Sequence, residues 1–316
     1  MNTITLTYNV KFCILLLYLV LALITIAAYI LGFMKKNVEN FKTRMKSFWI
    51  IVILFTAAFM FNKLAAIIFI MLISYLALKE FFSMIPTRRS DRRVLLWAYL
   101  SIPIQFYFIY TGWIAMFYLF IPLYLFLLIP LRMVLIGDTD GFLKSCGTIH
   151  WALMTCVYAI GYFAVYFSIP ETVNPIGGAL GFLLYILILT ISNDFMQYLF
   201  GKTFGKHKIT PKVSPNKTVE GLLGGVVSTA VIAGILAKFL TPFSFWQAFI
   251  LGAILAIAGF FGDITMSAIK RDIGVKDTGA LLPGHGGILD RLDSMIFTVP
   301  LFFHYVAYYY NIGILN

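Results

Sequence analysis

Charged side chains are scarce in this sequence. Lys, Arg, Asp and Glu make up 12% of the 316 residues, and only 13 residues are acidic. A soluble domain carries roughly a quarter of its residues as charges, whereas here 61% of the residues are hydrophobic and the mean hydropathy is +0.93. This composition excludes soluble, secreted and disordered proteins and indicates an integral membrane protein.

Cysteine is also scarce. Cys13, Cys146 and Cys156 lie in or beside apolar stretches, with no CxxC spacing and no neighbouring histidine. Disulfide frameworks show several cysteines at regular spacings, and zinc sites show clustered Cys and His ligands. The sequence therefore argues for neither a disulfide-stapled fold nor a zinc site.

Ten apolar stretches run along the chain, and most approach the ~20 residues that a helix needs to cross ~30 Å of hydrocarbon. The second and third are separated only by Asn62 and Lys63, so we expect a tight helical hairpin there rather than one overlong helix. The sequence predicts an all-α polytopic bundle of about ten transmembrane helices, formed as one domain over residues 1–316. The stretches lie near residues 11–33, 48–61, 64–82, 95–111, 113–131, 149–169, 175–200, 219–240, 245–268 and 294–312.

The basic residues fall on one side of this bundle. When alternate connections are assigned to opposite faces, five segments on one face hold 20 of the 24 Lys and Arg residues. The positive-inside rule makes that face cytoplasmic and both termini external. The net charge of +11 then serves orientation and contact with anionic headgroups, and no nucleic-acid partner is needed to explain it. The five segments are 34–47, 83–94, 132–148, 201–218 and 269–293.

Residues capable of chemistry concentrate in the second half of the chain. Residues 1–175 form hydrophobic helices with short connections, whereas 176–316 contain two polar segments, 194–220 and 263–293. We therefore expect residues 176–316 to form the catalytic half, with the active site at the cytoplasmic face.

A stripe of polar residues ends the ninth stretch. Asp263, Ser267 and Lys270 are spaced i, i+4 and i+7, which places them on one face of a helix. A carboxylate near the end of a transmembrane helix is costly and marks a functional site by default. We expect the partner of Asp263 to be either Lys270 or a metal ion.

A glycine-rich loop follows this helix and leads to two carboxylates. Asp290 and Asp293 begin the last helix, where capping is an alternative explanation for Asp293. Mg²⁺ favours one or two carboxylates together with substrate phosphates, and Lys or Arg side chains neutralise the remaining phosphate charge. Asp263 and Asp290 are the best metal candidates, whereas Asp272 and Asp277 are expected to be solvated loop charges.

The segment 194–220 is strongly basic. Ser214, Lys217 and Thr218 combine hydroxyl groups with an ammonium group just before a helix begins, an arrangement that binds phosphate readily. The glycine spacing of a Walker A loop is absent, which disfavours P-loop hydrolysis of ATP.

Residues 267–293 resemble the signature of the phosphatidate cytidylyltransferase family: a Ser followed by Lys-Arg, Lys-Asp, His-Gly-Gly and Asp-Arg-x-Asp. The resemblance extends upstream through 214–221 and Asp194-x-x-x-Tyr198-x-x-Gly201 and fades to hydropathy before about residue 180. It implies that CTP and phosphatidic acid yield CDP-diacylglycerol and pyrophosphate in a bacterial inner membrane. It also implies Mg²⁺ held by Asp263 and Asp290; whether a monovalent cation joins it stays open.

The resemblance implies roles for further residues. Lys270, Arg271, Lys276 and Arg291 would contact phosphates, and Ser214 and Lys217 would contact the triphosphate or the lipid headgroup. His285 is assigned either to proton handling or to hydrogen bonding within its own loop. The remaining expected substrate-binding residues are Asp194, Thr218, Ser267, Gly286, Gly287 and Asp293.

Two departures from the family pattern leave alternatives open. Phe195, Met196 and Gln197 replace the usual small residues after Asp194, and an extra helix near 11–33 precedes the usual first span. The alternatives are a cytidylyltransferase for another lipid phosphate, a CTP-dependent polyprenol kinase, and a transporter of an anionic solute.

The spacings Gly177-x-x-x-Gly181 and Gly221-x-x-x-Gly225 suit close helix contact, either within one chain or in a homodimer.

Overall fold

The computed structural model describes residues 6–33, 39–86, 88, 91–279 and 286–312. This part of the chain forms eleven helices and one β-hairpin, so the predicted all-α membrane fold is confirmed. The helices are α1 (Tyr8–Phe33), α2 (Glu39–Phe61), α3 (Lys63–Met84), α4 (Arg92–Thr111), α5 (Ile114–Val134), α6 (Phe142–Ser168), α7 (Gly178–Phe204), α8 (Val219–Leu240), α9 (Phe245–Ile273), α10 (Leu289–Leu292) and α11 (Met295–Tyr309). The hairpin consists of β1 (Lys208–Thr210) and β2 (Ser214–Thr218).

Every predicted apolar stretch is a helix. Within the described ranges, eight helices are long and apolar enough to cross a membrane, and two apolar helical segments, Met45–Phe61 and Met295–Tyr309, are shorter. Helices α5 and α6 each contain a π turn, at Phe120–Leu125 and Met154–Ala159. The short tenth helix, α10, covers residues predicted to begin the last helix, which instead starts at Met295.

The predicted hairpin between the second and third stretches is confirmed. Asn62 alone separates α2 from α3 and has an extended backbone, with φ −167° and ψ 169°. Its side chain accepts a hydrogen bond from the N–H of Ala65 at 2.7 Å. This N-cap satisfies one of the free donors that begin every helix, so a single residue is enough to reverse the chain.

Polar side chains and small residues join the helices of the second half. The Tyr185 hydroxyl of α7 donates to the Ala233 carbonyl oxygen of α8 at 3.1 Å. A Cβ atom on Gly221 of α8 would lie only 3.0 Å from Cα of Gly201 in α7. The two glycine spacings therefore serve contacts within one chain, because Gly181 likewise packs against the Leu240 carbonyl oxygen.

Connections from the predicted basic face meet one another. Arg88, which precedes α4, forms an ion pair with Asp91 at 2.7 Å and reaches Asp138 after α5 at 3.9 Å. The Ser145 hydroxyl of α6 also donates to Asp91. At the opposite ends of the helices, Asn174 donates to the Leu240 carbonyl oxygen at 2.9 Å. On the basic face, Arg271 likewise reaches Val213, and Glu80 at the end of α3 binds the loop after α9, so four of the five basic connections meet at one end of the bundle.

Candidate functional site

The last turns of α9 carry the first cluster of the site. Helix α9 continues to Ile273 and ends where Gly274 adopts the left-handed conformation, with φ +79°. The Ser267 hydroxyl donates to Asp263 Oδ1 at 3.3 Å across one turn. The predicted polar stripe is therefore present, and it faces β2 and the loop after α9.

The partner of Asp263 is Lys217, whose Nζ lies 2.5 Å from Asp263 Oδ2. The expectation that Lys270 would pair with Asp263 is wrong, because Lys270 binds Asp290 instead. Seven residues along a helix correspond to a rise of about 10 Å, which carries Lys270 beyond the carboxylate that begins the stripe. Lys217 approaches from a different element and fills that place.

Lys217 lies on strand β2. Within the basic connection 201–218, the last turn of α7 ends at Phe204, and residues 208–218 form an antiparallel hairpin in which Lys208 pairs with Thr218 and Thr210 with Ser214. Lys217 Nζ also donates to Gln197 Oε1 at 3.2 Å and lies 5.7 Å from the centre of the Phe260 ring. An amide oxygen, a carboxylate and an aromatic face thus hold one ammonium group.

Thr218 and Ser214 have different environments on this strand. Thr218 is the N-cap of α8, and its buried hydroxyl accepts from the N–H of Gly221 at 3.1 Å. Ser214 is half-buried at the other end of β2. Of these two predicted substrate-binding residues, Thr218 therefore already uses its hydroxyl to cap a helix.

Asp290 is enclosed by donors. Lys270 Nζ lies 2.7 Å from its Oδ1, and the N–H groups of Thr278 and Gly287 donate to its Oδ2 at 2.9 and 3.0 Å. Burial acts to raise the pKa of Asp290, but these donors outweigh it and hold the pKa below its usual value. This carboxylate is therefore ionised and organises the loop around it.

The two signature glycines pack against carboxylates. Gly286 has φ +81°, and a Cβ atom there would lie 2.8 Å from Asp290 Oδ2. A Cβ atom on Gly287 would collide with Glu80 and with the Thr278 hydroxyl. The backbone at these two expected substrate-binding glycines thus lies close to the protein's own side chains.

Asp293 lies close to two further carboxylates. Burial raises the pKa of Asp293 to about 7, with the carboxylates of Asp263 and Asp194 acting in the same direction. The Ser294 N–H donates to Asp293 Oδ1 at 2.8 Å, and the Ser294 hydroxyl donates to Asp194 Oδ1 at 3.1 Å. Capping alone does not explain a buried carboxyl group near enough to two other carboxylates for their charges to raise its pKa, because this repulsion is costly.

The remaining predicted bases border this centre. Arg271 is exposed and its Nε donates to the Val213 carbonyl oxygen of the hairpin at 3.3 Å. Lys276 is exposed, and Arg291 is exposed near Asp194. Asp272 and Asp277 are exposed too, as expected of loop charges. His285 lies outside the described residues.

The acidic groups of this site differ in how well they suit the coordination of Mg²⁺. Among the described residues, no three His, Cys, Asp or Glu side chains lie together as a ready metal cage. Mg²⁺ does not need one, because one or two carboxylates, waters and substrate phosphates usually complete its shell. Asp263 fits this role, since its carboxylate is partly exposed and close to Asp293. Asp290 fits less well, because its side chain is 7% exposed against 23% for Asp263, and backbone N–H groups as well as Lys270 enclose it.

Sequence reasoning missed Glu80 at this site and named Gln197 only as a departure from the family pattern. Glu80 of α3 is buried and binds the loop before α10 from more than 190 residues away. Gln197 is 4% exposed, and its Nε2 has no hydrogen-bond partner among the described residues. The signal in both cases was a polar residue inside an apolar stretch. Phe195, by contrast, points outward with 57% exposure, so Gln197 is the departure that enters the site.

Fold and site together define a polytopic helical membrane protein in which paired lysines and carboxylates meet at one end of the bundle. Comparison with known proteins identifies the family. The model of the cytidylyltransferase family matches residues 42–309, and the chain belongs to that family. Membership supports a nucleotidyltransferase.

Individual relatives agree with this assignment. The chain is 42% identical over 265 residues to the uncharacterized protein YnbB of Escherichia coli (strain K12), a match covering 84% of this chain and 87% of YnbB. It is 33% and 34% identical over 147 residues to the phosphatidate cytidylyltransferases of Staphylococcus haemolyticus (strain JCSC1435) and Staphylococcus aureus (strain COL). Those matches cover 46% of this chain and 56% of each enzyme.

Proposed function

We propose that this protein transfers the cytidylyl group of CTP to phosphatidic acid, forming CDP-diacylglycerol and pyrophosphate for phospholipid biosynthesis. The observation that carries the proposal is the pair of ion pairs Lys217–Asp263 and Lys270–Asp290 at one end of the bundle. A lipid phosphate and a nucleotide triphosphate would bring several negative charges together. The two lysines supply the compensating positive charge, and the carboxylates hold them in place until substrate arrives.

The reaction needs no covalent intermediate with the protein. A phosphate oxygen of the lipid attacks the α-phosphorus of CTP, and the bond from that phosphorus to the bridging oxygen breaks as pyrophosphate leaves. Lys217 and Lys270 turn toward the phosphates, and the exposed Arg271, Lys276 and Arg291 bind the outer phosphate oxygens. Mg²⁺, held at Asp263 with Asp293 nearby, would neutralise charge on the triphosphate when bound.

The membrane setting of the site matches a lipid acceptor. The charged centre lies at the ends of apolar helices, so an acyl chain can stay in the bilayer while its phosphate reaches the lysines. We propose a bacterial inner membrane with the centre facing the cytoplasm, where CTP is available. The clustering of basic connections at this end of the bundle supports that orientation.

The test is pyrophosphate release by the purified full-length protein in detergent, with CTP, Mg²⁺ and phosphatidic acid. Release should require all three, and ATP, UTP and dATP should not replace CTP. Asp263→Asn should lower the rate by about 100-fold or more, since it removes charge next to Lys217 and the metal position. Asp272→Asn, an exposed carboxylate on the same helix, is the matched control and should retain activity. Lipid-independent release, or an active Asp263→Asn variant, would contradict the proposal.

A second candidate is a cytidylyltransferase for a different lipid phosphate. The Nε2 group of Gln197, which has no hydrogen-bond partner among the described residues although Oε1 accepts from Lys217, favours it. A family position usually filled by a small residue here offers an additional hydrogen-bond donor. A panel of acceptors, including a polyprenyl phosphate, separates the two candidates in the same assay. A polyprenol kinase would instead release CDP, which the same reaction mixtures reveal by nucleotide chromatography.

A further inference from the structure

Glu80 is a carboxylate that the proposed chemistry does not use. It lies in the last turns of α3 and is 8% exposed. A carboxylate at the end of an apolar helix is costly to bury and persists only with partners that compensate it. Among the described residues, the hydrogen-bond partners of its carboxylate are polar hydrogens of the distant loop between α9 and α10 and of the start of α10.

We call residues 274–279 and 286–288 the signature loop. The Thr278 hydroxyl donates to Glu80 Oε1, which also accepts from the N–H of Leu289 at 3.1 Å. Glu80 Oε2 accepts from the N–H of Ile288 at 2.8 Å. Both oxygens of Glu80 are therefore engaged by two separate stretches of the signature loop and the start of α10.

Asp290 binds the same backbone from the other side. The N–H groups of Thr278 and Gly287 donate to Asp290 Oδ2, while Lys270 holds its Oδ1. At Gly287 no space is left for a Cβ atom, because Glu80 and the Thr278 hydroxyl fill it. The loop is thus clamped between a carboxylate of the N-terminal helices and a carboxylate of the site.

We propose that Glu80 is a positioning residue that fixes the signature loop so that Asp290 meets Lys270 in the geometry needed for nucleotidyl transfer. It acts through the loop and touches no substrate. Without its two acceptor oxygens, the hydroxyl of Thr278 and the N–H groups of Ile288 and Leu289 lose buried partners, and the loop must rearrange to satisfy them. The link to activity rests on the proposed function, whereas the link to loop order does not.

Glu80→Gln tests the role with almost no change in size. The amide presents one oxygen and one NH₂ group to three donors, so at least one donor is left facing another donor. Thr278→Val removes a single one of the three contacts and should give a smaller effect in the same direction. Glu80→Asp keeps both oxygens on a shorter side chain and should restore part of the loss. Lys79→Gln, the exposed neighbour on α3, is the matched control.

The first measurement is amide hydrogen exchange of the full-length protein in detergent, which needs no substrate. In Glu80→Gln, exchange at Thr278 and at 287–289 should speed up by about tenfold or more, whereas α7 and α8 should be unchanged. Unchanged exchange at those amides would overturn the proposal. A uniform rise throughout α7 and α8 would overturn it too, because Glu80 would then support the fold in general.

The second measurement is steady-state kinetics of pyrophosphate release. The kcat of Glu80→Gln should fall about 10- to 100-fold, since small displacements of reacting groups are that costly. The KM for CTP should stay within about threefold, because Lys217 and Arg271, which we assign to the phosphates, lie outside the signature loop. A raised KM with unchanged kcat would contradict positioning. If the wild-type protein releases no pyrophosphate, the proposed function fails while the exchange experiment still tests the role of Glu80.

Discussion

At the residue scale, the site combines ion pairs that satisfy their charges with carboxylates that do not. Asp263 and Asp290 each have a lysine partner. Among the described residues, no lysine brings the pKa of Asp293 down to its usual value. Burial, together with the carboxylates of Asp263 and Asp194, raises that pKa to about 7. Such electrostatic repulsion is typical of positions where a cation or a charged ligand binds.

The repulsion at Asp293 predicts that removing its negative charge stabilises the protein, and that the gain depends on pH. A carboxyl group whose pKa is higher in the folded state makes folding costlier as it ionises, so its penalty is complete above about pH 7 and absent below its unfolded pKa near 4. Asp293→Asn, which mimics the neutral acid, should raise the thermal midpoint of the EDTA-treated protein at pH 8. The gain should shrink steadily between pH 7 and pH 4. Asp272→Asn serves as the control and should shift nothing; an equal gain at pH 8 and pH 4 would refute the explanation.

Sequence periodicity predicted which side chains share a face of α9 but not which partners they meet. The stripe of Asp263, Ser267 and Lys270 follows from helical spacing alone. The partners Lys217 and Asp290 lie on other elements, and no local sequence pattern predicts which residues from distant parts of the chain meet. Glu80 lies within the third apolar stretch, where a charge is unusual, yet its role depends on a loop about 200 residues further along the chain.

At the element scale, helices α7 and α8 form the close contact that carries Lys217 and Gln197 toward each other. Gly221 of α8 faces the Gln197 carbonyl oxygen and Gly201, so an added Cβ atom would lie 2.8 and 3.0 Å from them. Helix existence was predictable here from apolar length, because every apolar stretch became a helix. The hairpin β1–β2 was not, since strands of three and five residues with an irregular register leave little periodic signal.

This contact can be tested with one methyl group. Gly221→Ala should destabilise the protein by about 1–3 kcal/mol, because the helices must separate to admit the new atom. Gly147→Ala in α6 is the same substitution where a Cβ atom has no neighbour within 4 Å, and it should be neutral or stabilising by up to about 1 kcal/mol. Thermal unfolding in detergent measures both. Equal midpoints for the two variants would mean that α7 and α8 do not meet as closely as described.

At the scale of the whole molecule, the clustering of basic connections predicts which end of the bundle faces the cytoplasm. Cysteines introduced for Glu171 and Lys208, both exposed and at opposite ends of α7, report the orientation in a background without Cys13, Cys146 and Cys156. A membrane-impermeant maleimide should label Glu171→Cys in intact cells. It should label Lys208→Cys only after permeabilisation. The reversed pattern would place the charged centre outside the cell.

The hydrogen bonds of Glu80 also determine how relatives of this chain can be recombined. Two of its three donors are the backbone N–H groups of Ile288 and Leu289, which any residue except proline supplies. A chimera joining the first helices of one relative to the second half of another needs a carboxylate at the end of its third helix. These hydrogen bonds themselves set no requirement on the side chains at 288 and 289; it is the packing of the buried Leu289 in the hydrophobic core that restricts that position.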